Sequence, residues 1–95
     1  MKRNNYYLKP QYDKTKSFYD KAKVIQYENV KYLYSYDTLV CTLTNDKLEL
    51  NYNIDEHLLF SRTTLRHIKE FLNQHFKDSE RFKTKKEVIE FATNK

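Results

Sequence analysis

Residues 22–54 contain about four short segments in which apolar and polar residues alternate, separated by tight turns. Alternation with a period of two places the apolar side chains on one face of a β-strand. The turn pairs Glu28-Asn29 and Asn45-Asp46 contain asparagine, which tolerates the positive φ angle that hairpin turns require. The pattern therefore predicts an antiparallel meander. Its strands are expected at residues 24–27, 30–36, 38–44 and 47–54.

Two of these segments show which side chains share a face. In the second segment a row of tyrosines alternates with other residues and is typical of an amphipathic surface: Val30, Tyr32, Tyr34 and Tyr36. In the last segment an apolar row alternates with polar residues and is predicted to point inward: Leu48, Leu50, Tyr52 and Ile54. The sequence thus predicts a sheet with one face in the core.

A helix is predicted over residues 61–76, with Ser61 as its N-cap. One stripe of this helix is apolar at spacings of three and four residues: Leu65, Ile68, Leu72 and Phe76. A second, shorter helix begins at the capping box formed by Thr84 and Glu87. Two helices that follow a sheet cover one of its faces, so we expect a two-layer α+β domain over residues 22–95.

Residues 1–21 lack a sustained period and combine basic residues with tyrosines, so we expect an extended N-terminal arm. The net charge of +5 is unevenly distributed along the chain. Residues 1–23 hold seven bases and two acids, residues 24–60 two bases and six acids, and residues 61–95 nine bases and five acids. Both ends are therefore basic and the middle is acidic, which favours an anionic partner at the ends.

Composition excludes several classes of protein. Glycine is absent, so a glycine-rich phosphate loop or dinucleotide fingerprint is excluded. Cys41 is the only cysteine, so neither an intrachain disulfide nor a zinc site of several thiolates can form. There is no apolar run of membrane-spanning length and no signal-peptide pattern, so we expect a cytoplasmic protein without a membrane partner. No constellation of residues indicates catalysis, a metal or a cofactor.

The first candidate site is the start of the predicted helix. Free backbone N–H groups at a helix N-terminus, hydroxyls and cations together favour an anion such as a backbone phosphate. The residues that supply these groups are Arg62, Thr63, Thr64, Arg66, His67 and Lys69. The alternative interpretation is ordinary N-cap chemistry with a solvated basic face that also includes Glu70, in which Arg66 or Lys69 pairs with Glu70 or with the acidic sheet.

The second candidate site is the arm. Cations beside aromatic rings suit a single nucleic-acid strand, whose bases stack on rings while its phosphates contact the cations. The residues concerned are Lys2, Arg3, Tyr6 and Tyr7. The alternative is that these rings pack against the sheet and hold the arm in place.

Two motifs resemble small uncharacterised proteins from phages and plasmids of Gram-positive bacteria. One is a Ser-Tyr-(Asn/Asp)-Thr turn that leads into a strand, matched at residues 35–38. The other is an aromatic-Ser-x-Thr-Thr-x-Arg-His helix start, matched at residues 60–67, where Phe60 replaces a tyrosine. The resemblance covers most of residues 16–76 and implies an accessory protein of a mobile element, without implying a chemistry.

These observations favour a small non-catalytic binding protein that contacts nucleic acid through the arm and the basic helix face. The alternative is a protein-binding modulator of a host or defence protein, in which the tyrosine row supplies the interface. A homodimer is a further alternative, formed by pairing of an exposed edge strand at residues 24–27.

Overall fold

The computed structural model describes residues 3–93, and within this range the chain forms five β-strands followed by three α-helices. The strands are β1 (Arg3–Tyr7), β2 (Ala22–Tyr27), β3 (Val30–Ser35), β4 (Thr38–Thr44) and β5 (Lys47–Leu50). The helices are α1 (Glu56–Leu59), α2 (Arg62–Phe76) and α3 (Lys85–Thr93). All five strands belong to one antiparallel sheet in the order β1-β2-β3-β4-β5. The predicted α+β fold, with an antiparallel sheet and C-terminal helices, is confirmed.

The first strand comes from the segment that was predicted to be an arm. In β1, Tyr6 pairs with Val24 and Arg3 pairs with Tyr27, so β1 extends the meander by one strand. All five of its residues are exposed, which explains why no alternating apolar pattern marks it in the sequence. The prediction that residues 24–27 form an exposed edge is therefore wrong, because β2 lies between β1 and β3. Lys2 lies outside the described residues.

The last strand is shorter than predicted because Asn51 turns the chain out of the sheet. Its side-chain amide donates to the carbonyl of Leu39 at 2.8 Å, and its side-chain oxygen accepts from the backbone N–H of Asn53 at 3.2 Å. Such a local side-chain bond offers the backbone an alternative to the strand ladder. Tyr52, which was predicted to point inward, is consequently 59% exposed.

Helix α2 covers one face of the sheet and completes the core. Ile68 and Leu72 of the predicted apolar stripe are fully buried, and Leu65 and Phe76 pack partly buried beside them. From the sheet side the core includes Val24, Leu33, Cys41, Leu43, Leu48 and Leu50.

Capping residues fix both main helices as predicted. The Ser61 hydroxyl accepts from the N–H of Thr64 at 3.2 Å and begins α2. Thr84 and Glu87 bond reciprocally ahead of α3, at 2.8 and 3.3 Å. Within residues 3–93 no helix is long and apolar enough to cross a membrane.

Candidate nucleic-acid interface

The face of the sheet that points away from the helices is rich in tyrosine. In β2 and β3, Val24 and Leu33 face each other across the strands and are buried beneath the helices. Successive side chains of a strand alternate between faces, so their neighbours point to the opposite, open face. We give the name tyrosine face to the part of this open surface that is formed by Arg3, Tyr7, Lys23, Ile25, Tyr27, Tyr32 and Tyr34.

The centre of the tyrosine face is a shallow depression of about 500 Å³. It is lined by Arg3, Ile25, Tyr27, Tyr32 and Tyr34, which come from three adjacent strands. The strand register explains this grouping, because Arg3 pairs with Tyr27 and Ile25 pairs with Tyr32. Within the depression the guanidinium of Arg3 is the positive charge, and the tyrosines offer ring surface with a polar tip.

A second depression of about 280 Å³ adjoins the first through Tyr34. Tyr7 and Lys23 line it from the tyrosine face, together with the exposed Tyr36 at the turn between β3 and β4. Further charged residues of both signs complete its rim: Asp20, Lys21 and Asp37. The tyrosine face therefore continues from the depression around Arg3 towards the β3–β4 turn.

The structure divides the predicted residues of the arm between two surfaces. Arg3 and Tyr7 lie on the tyrosine face. Tyr6 pairs with Val24 and so points to the helix side, where burial raises the pKa of its hydroxyl. Because side chains alternate along β1, the tyrosine face contains Arg3 and Tyr7 of the predicted arm but not Tyr6.

The residues predicted at the helix start also separate. Arg62 and Thr63 are exposed at the beginning of α2. Arg66 donates from Nη1 to the hydroxyl of Thr15 at 3.1 Å, and Lys69 donates from Nζ to the carbonyl of Lys83 at 3.1 Å. These contacts are on the helix side of the sheet, so the basic helix face and the tyrosine face are distinct surfaces.

Thr64 and His67 are buried, and they connect the two sequence motifs at residues 35–38 and 60–67. The hydroxyl of Ser35 lies 3.1 Å from the hydroxyl of Thr64 and 2.8 Å from Nδ1 of His67. The His67 ring packs edge-on against Phe18, with 4.7 Å between ring centroids. The motif at residues 35–38 and the helix start are thus tied together by buried hydrogen bonds. The prediction that His67 lies on the exposed polar face is wrong.

His67 is held neutral by its surroundings. Burial lowers its pKa from 6.5 to about 4, and the nearby charge of Asp13 opposes this effect only in part. Its Nε2 has no hydrogen-bond partner among residues 3–93. Protonation of His67 would therefore place an unpaired charge in the core.

Acid is expected to destabilise the protein through His67. The unfolded chain takes up this proton near pH 6.5 and the folded chain only near pH 4, so the unfolded state binds more protons between these values. The contribution of neutral His67 to the free energy of unfolding is therefore fully present above pH 6.5. This contribution decreases by about 3 kcal/mol as the pH falls to about 4. Urea unfolding of the wild type and His67→Gln across this range measures it. The variant should show a flatter pH dependence, whereas His57→Gln, at an exposed residue, should leave the dependence unchanged.

Glu70 was also predicted to be exposed, but it is buried and anchors the segment that follows β1. Its carboxylate accepts hydrogen bonds from three consecutive backbone N–H groups, those of Gln11, Tyr12 and Asp13, at 2.9 to 3.3 Å. These partners are 57 to 59 residues away in the chain, so no local sequence signal indicates them. This contact fixes the former arm against α2.

The match to a family model covers nearly the whole fold. Residues 6–90 match the model of a family of unknown function, DUF8033. The chain belongs to the DUF8033 family. The matched range runs from Tyr6 in β1 to Glu90 in α3, so DUF8033 describes the sheet and its helices as one unit. No curated protein and no solved structure matches the chain.

Proposed function

We propose that this chain is a non-catalytic protein that binds single-stranded nucleic acid on the tyrosine face. The observation that carries the proposal is the convergence of Arg3 with Tyr27, Tyr32 and Tyr34 around one open depression. Exposed rings beside cations are the arrangement with which proteins bind single strands, because every base has a face that can stack. We further propose that it acts as an accessory protein of a phage or plasmid, as the resemblance of its two motifs implies.

The spacing of the rings suits consecutive bases. Tyr32 and Tyr34 are two residues apart on one strand, and two residues of a β-strand span about 7 Å. Tyr27 lies on the neighbouring strand and lines the same depression. A flexible single strand can therefore place successive bases against successive rings, whereas the bases of a duplex are already stacked on each other.

Two cations of the tyrosine face are positioned for phosphates. Arg3 lines the larger depression and Lys23 the smaller one, so they flank the row of rings. Arginine suits a phosphate because its planar guanidinium donates two parallel hydrogen bonds. With two phosphates neutralised, affinity should depend only moderately on salt, and stacking should supply much of it.

Fluorescence anisotropy with a labelled oligothymidylate of about 12 nucleotides tests the proposal. We expect binding at low salt, weaker binding to a duplex of the same length, and a slope of log affinity against log salt of about −1 to −2. Absence of binding to single-stranded DNA and RNA at low salt would contradict the proposal. A nuclease-resistant protein partner recovered from a Gram-positive host, in place of nucleic acid, would favour the alternative of a protein-binding modulator.

A further inference from the structure

A third depression, also lined by charged residues, lies on the helix side of the sheet and shares no residue with the tyrosine face. We name it the basic groove; it has a volume of about 310 Å³ and lies between α2, the segment after β1 and the α2–α3 connection. Four cations line it: Lys14, Arg66, Lys69 and Lys83. The sequence placed these residues up to 69 positions apart, and only the fold brings them together.

The walls of the basic groove are fixed by hydrogen bonds before any ligand arrives. On one side, Glu70 holds the backbone of residues 11–13, and Arg66 donates to Thr15. On the other side, Asn73 uses both ends of its amide, donating to the carbonyl of Phe82 at 3.1 Å and accepting from its N–H at 3.0 Å. Because both walls are held by α2, the backbone segments that carry the cations are fixed relative to one another.

The groove already stabilises one negative charge of the protein. The carboxylate of Asp13 accepts from the N–H of Thr15 at 2.8 Å. Burial acts to raise the pKa of Asp13, but the hydrogen bonds from Thr15 and the charges of Arg66 and Lys69 outweigh it, so its pKa is lowered. Two further carboxylates have partners of their own: Glu70, which also lines the groove, accepts from backbone N–H groups, and Glu80 pairs with Lys83, one of the four cations.

From this geometry we infer that the basic groove binds the phosphate group of a small phosphorylated ligand. Its volume is at the lower end of the range for small-molecule sites. Lys14, Arg66 and Lys69 supply the positive charge that a phosphate requires. The ring of Tyr12, which is 39% exposed, offers apolar surface at the rim for the organic part of the ligand.

An NMR titration of backbone amides with sodium pyrophosphate, at ionic strength held constant with sodium chloride, tests the inference. We expect saturable shifts at Lys14, Arg66 and Lys69. Arg66→Gln should weaken binding about three- to tenfold, while Lys86→Gln, at an exposed residue outside the groove, should leave it unchanged. Shifts that do not saturate, or that are equal around Lys86, would overturn the inference.

A second variant tests the internal anion and keeps the fold intact. Asp13→Asn removes the negative charge but retains an oxygen that can accept from Thr15. Pyrophosphate should then bind about three- to tenfold more tightly, because the ligand meets one like charge fewer in the groove. Unchanged or weaker binding by this variant would overturn the inference.

The phosphate can come from a free small molecule or from the end of a nucleic-acid strand, and two oligothymidylates that differ only in a 5′-phosphate separate these sources. If pyrophosphate shifts the groove amides and neither oligothymidylate does, the ligand is a free small molecule. If the oligothymidylate with the 5′-phosphate also shifts them and the one without it does not, the ligand is a strand end. The absence of groove shifts with both pyrophosphate and the 5′-phosphorylated strand would overturn the inference. Tyr32→Ala should leave the pyrophosphate shifts unchanged, since Tyr32 lines only the depression on the tyrosine face. Failure at the groove and failure at the tyrosine face are therefore distinguishable results.

Discussion

Replacing Glu70 with alanine is expected to lower the free energy of unfolding by about 3 kcal/mol, a large part of the stability of a small domain. The carboxylate accepts from the backbone N–H groups of Gln11, Tyr12 and Asp13, and alanine leaves all three without this partner. Hydrogen bonds to a buried charged group are among the stronger ones, and water can replace them only in part. Urea unfolding followed by circular dichroism measures the change.

Hydrogen exchange locates the effect of this substitution. In Glu70→Ala the amides of residues 11–13 should lose protection, whereas Ile68 and Leu72 in the same helix should keep theirs until global unfolding. Glu90→Ala removes an exposed carboxylate from α3 and should change stability by less than about 0.5 kcal/mol. Equal stability of Glu70→Ala and Glu90→Ala would show that Glu70 does not anchor the segment.

Replacing Tyr32 and Tyr34 together with alanine is expected to weaken binding of an oligothymidylate by at least about 30-fold. Each ring that stacks on a base contributes about 1–3 kcal/mol, and the two rings line the same depression. Both side chains are on the open face, so the buried residue between them, Leu33, stays in place. Anisotropy at one fixed salt concentration gives the ratio of affinities.

Tyr52→Ala is the matched control for the tyrosine pair. Tyr52 is more exposed than any ring in the central depression, but it follows the end of β5 and lines none of the three depressions described above among residues 3–93. Its loss should leave affinity within about twofold of the wild type. If Tyr52→Ala weakens the affinity for the oligothymidylate as much as the double substitution of Tyr32 and Tyr34 does, the tyrosines act only through nonspecific contacts. That result would contradict a stacking surface.

Most of the fold could be predicted from periodicity, because the spacing of apolar residues within one strand or helix shows which of its faces is buried. The alternating segments and the stripe that includes Ile68 and Leu72 depend only on which face meets the core. β1 carries no such signal, since all of its residues are exposed and only pairing with β2 defines it. A strand at the edge of a sheet can form from backbone hydrogen bonds alone. Its amino-acid composition then does not distinguish it from an extended arm.

The site was less predictable because its groups come together through contacts distant in the chain. The tyrosine row at Tyr32 and Tyr34 follows from alternation, but the position of Arg3 beside it requires the register of β1 on β2. His67 and Glu70 were predicted to be exposed because ionisable residues usually are. Each is buried next to a partner that sequence spacing does not reveal, Ser35 for His67 and the backbone of residues 11–13 for Glu70.

An NMR titration of the full chain with unlabelled oligothymidylate lacking a 5′-phosphate tests most directly whether the tyrosine face binds a single strand. If the strand binds on the tyrosine face, we expect saturable amide shifts at Arg3, Lys23, Ile25 and Tyr32, on three adjacent strands, with little change at Arg66 in α2. Shifts confined to α2, or no shifts at concentrations that saturate known single-strand binders, would contradict it.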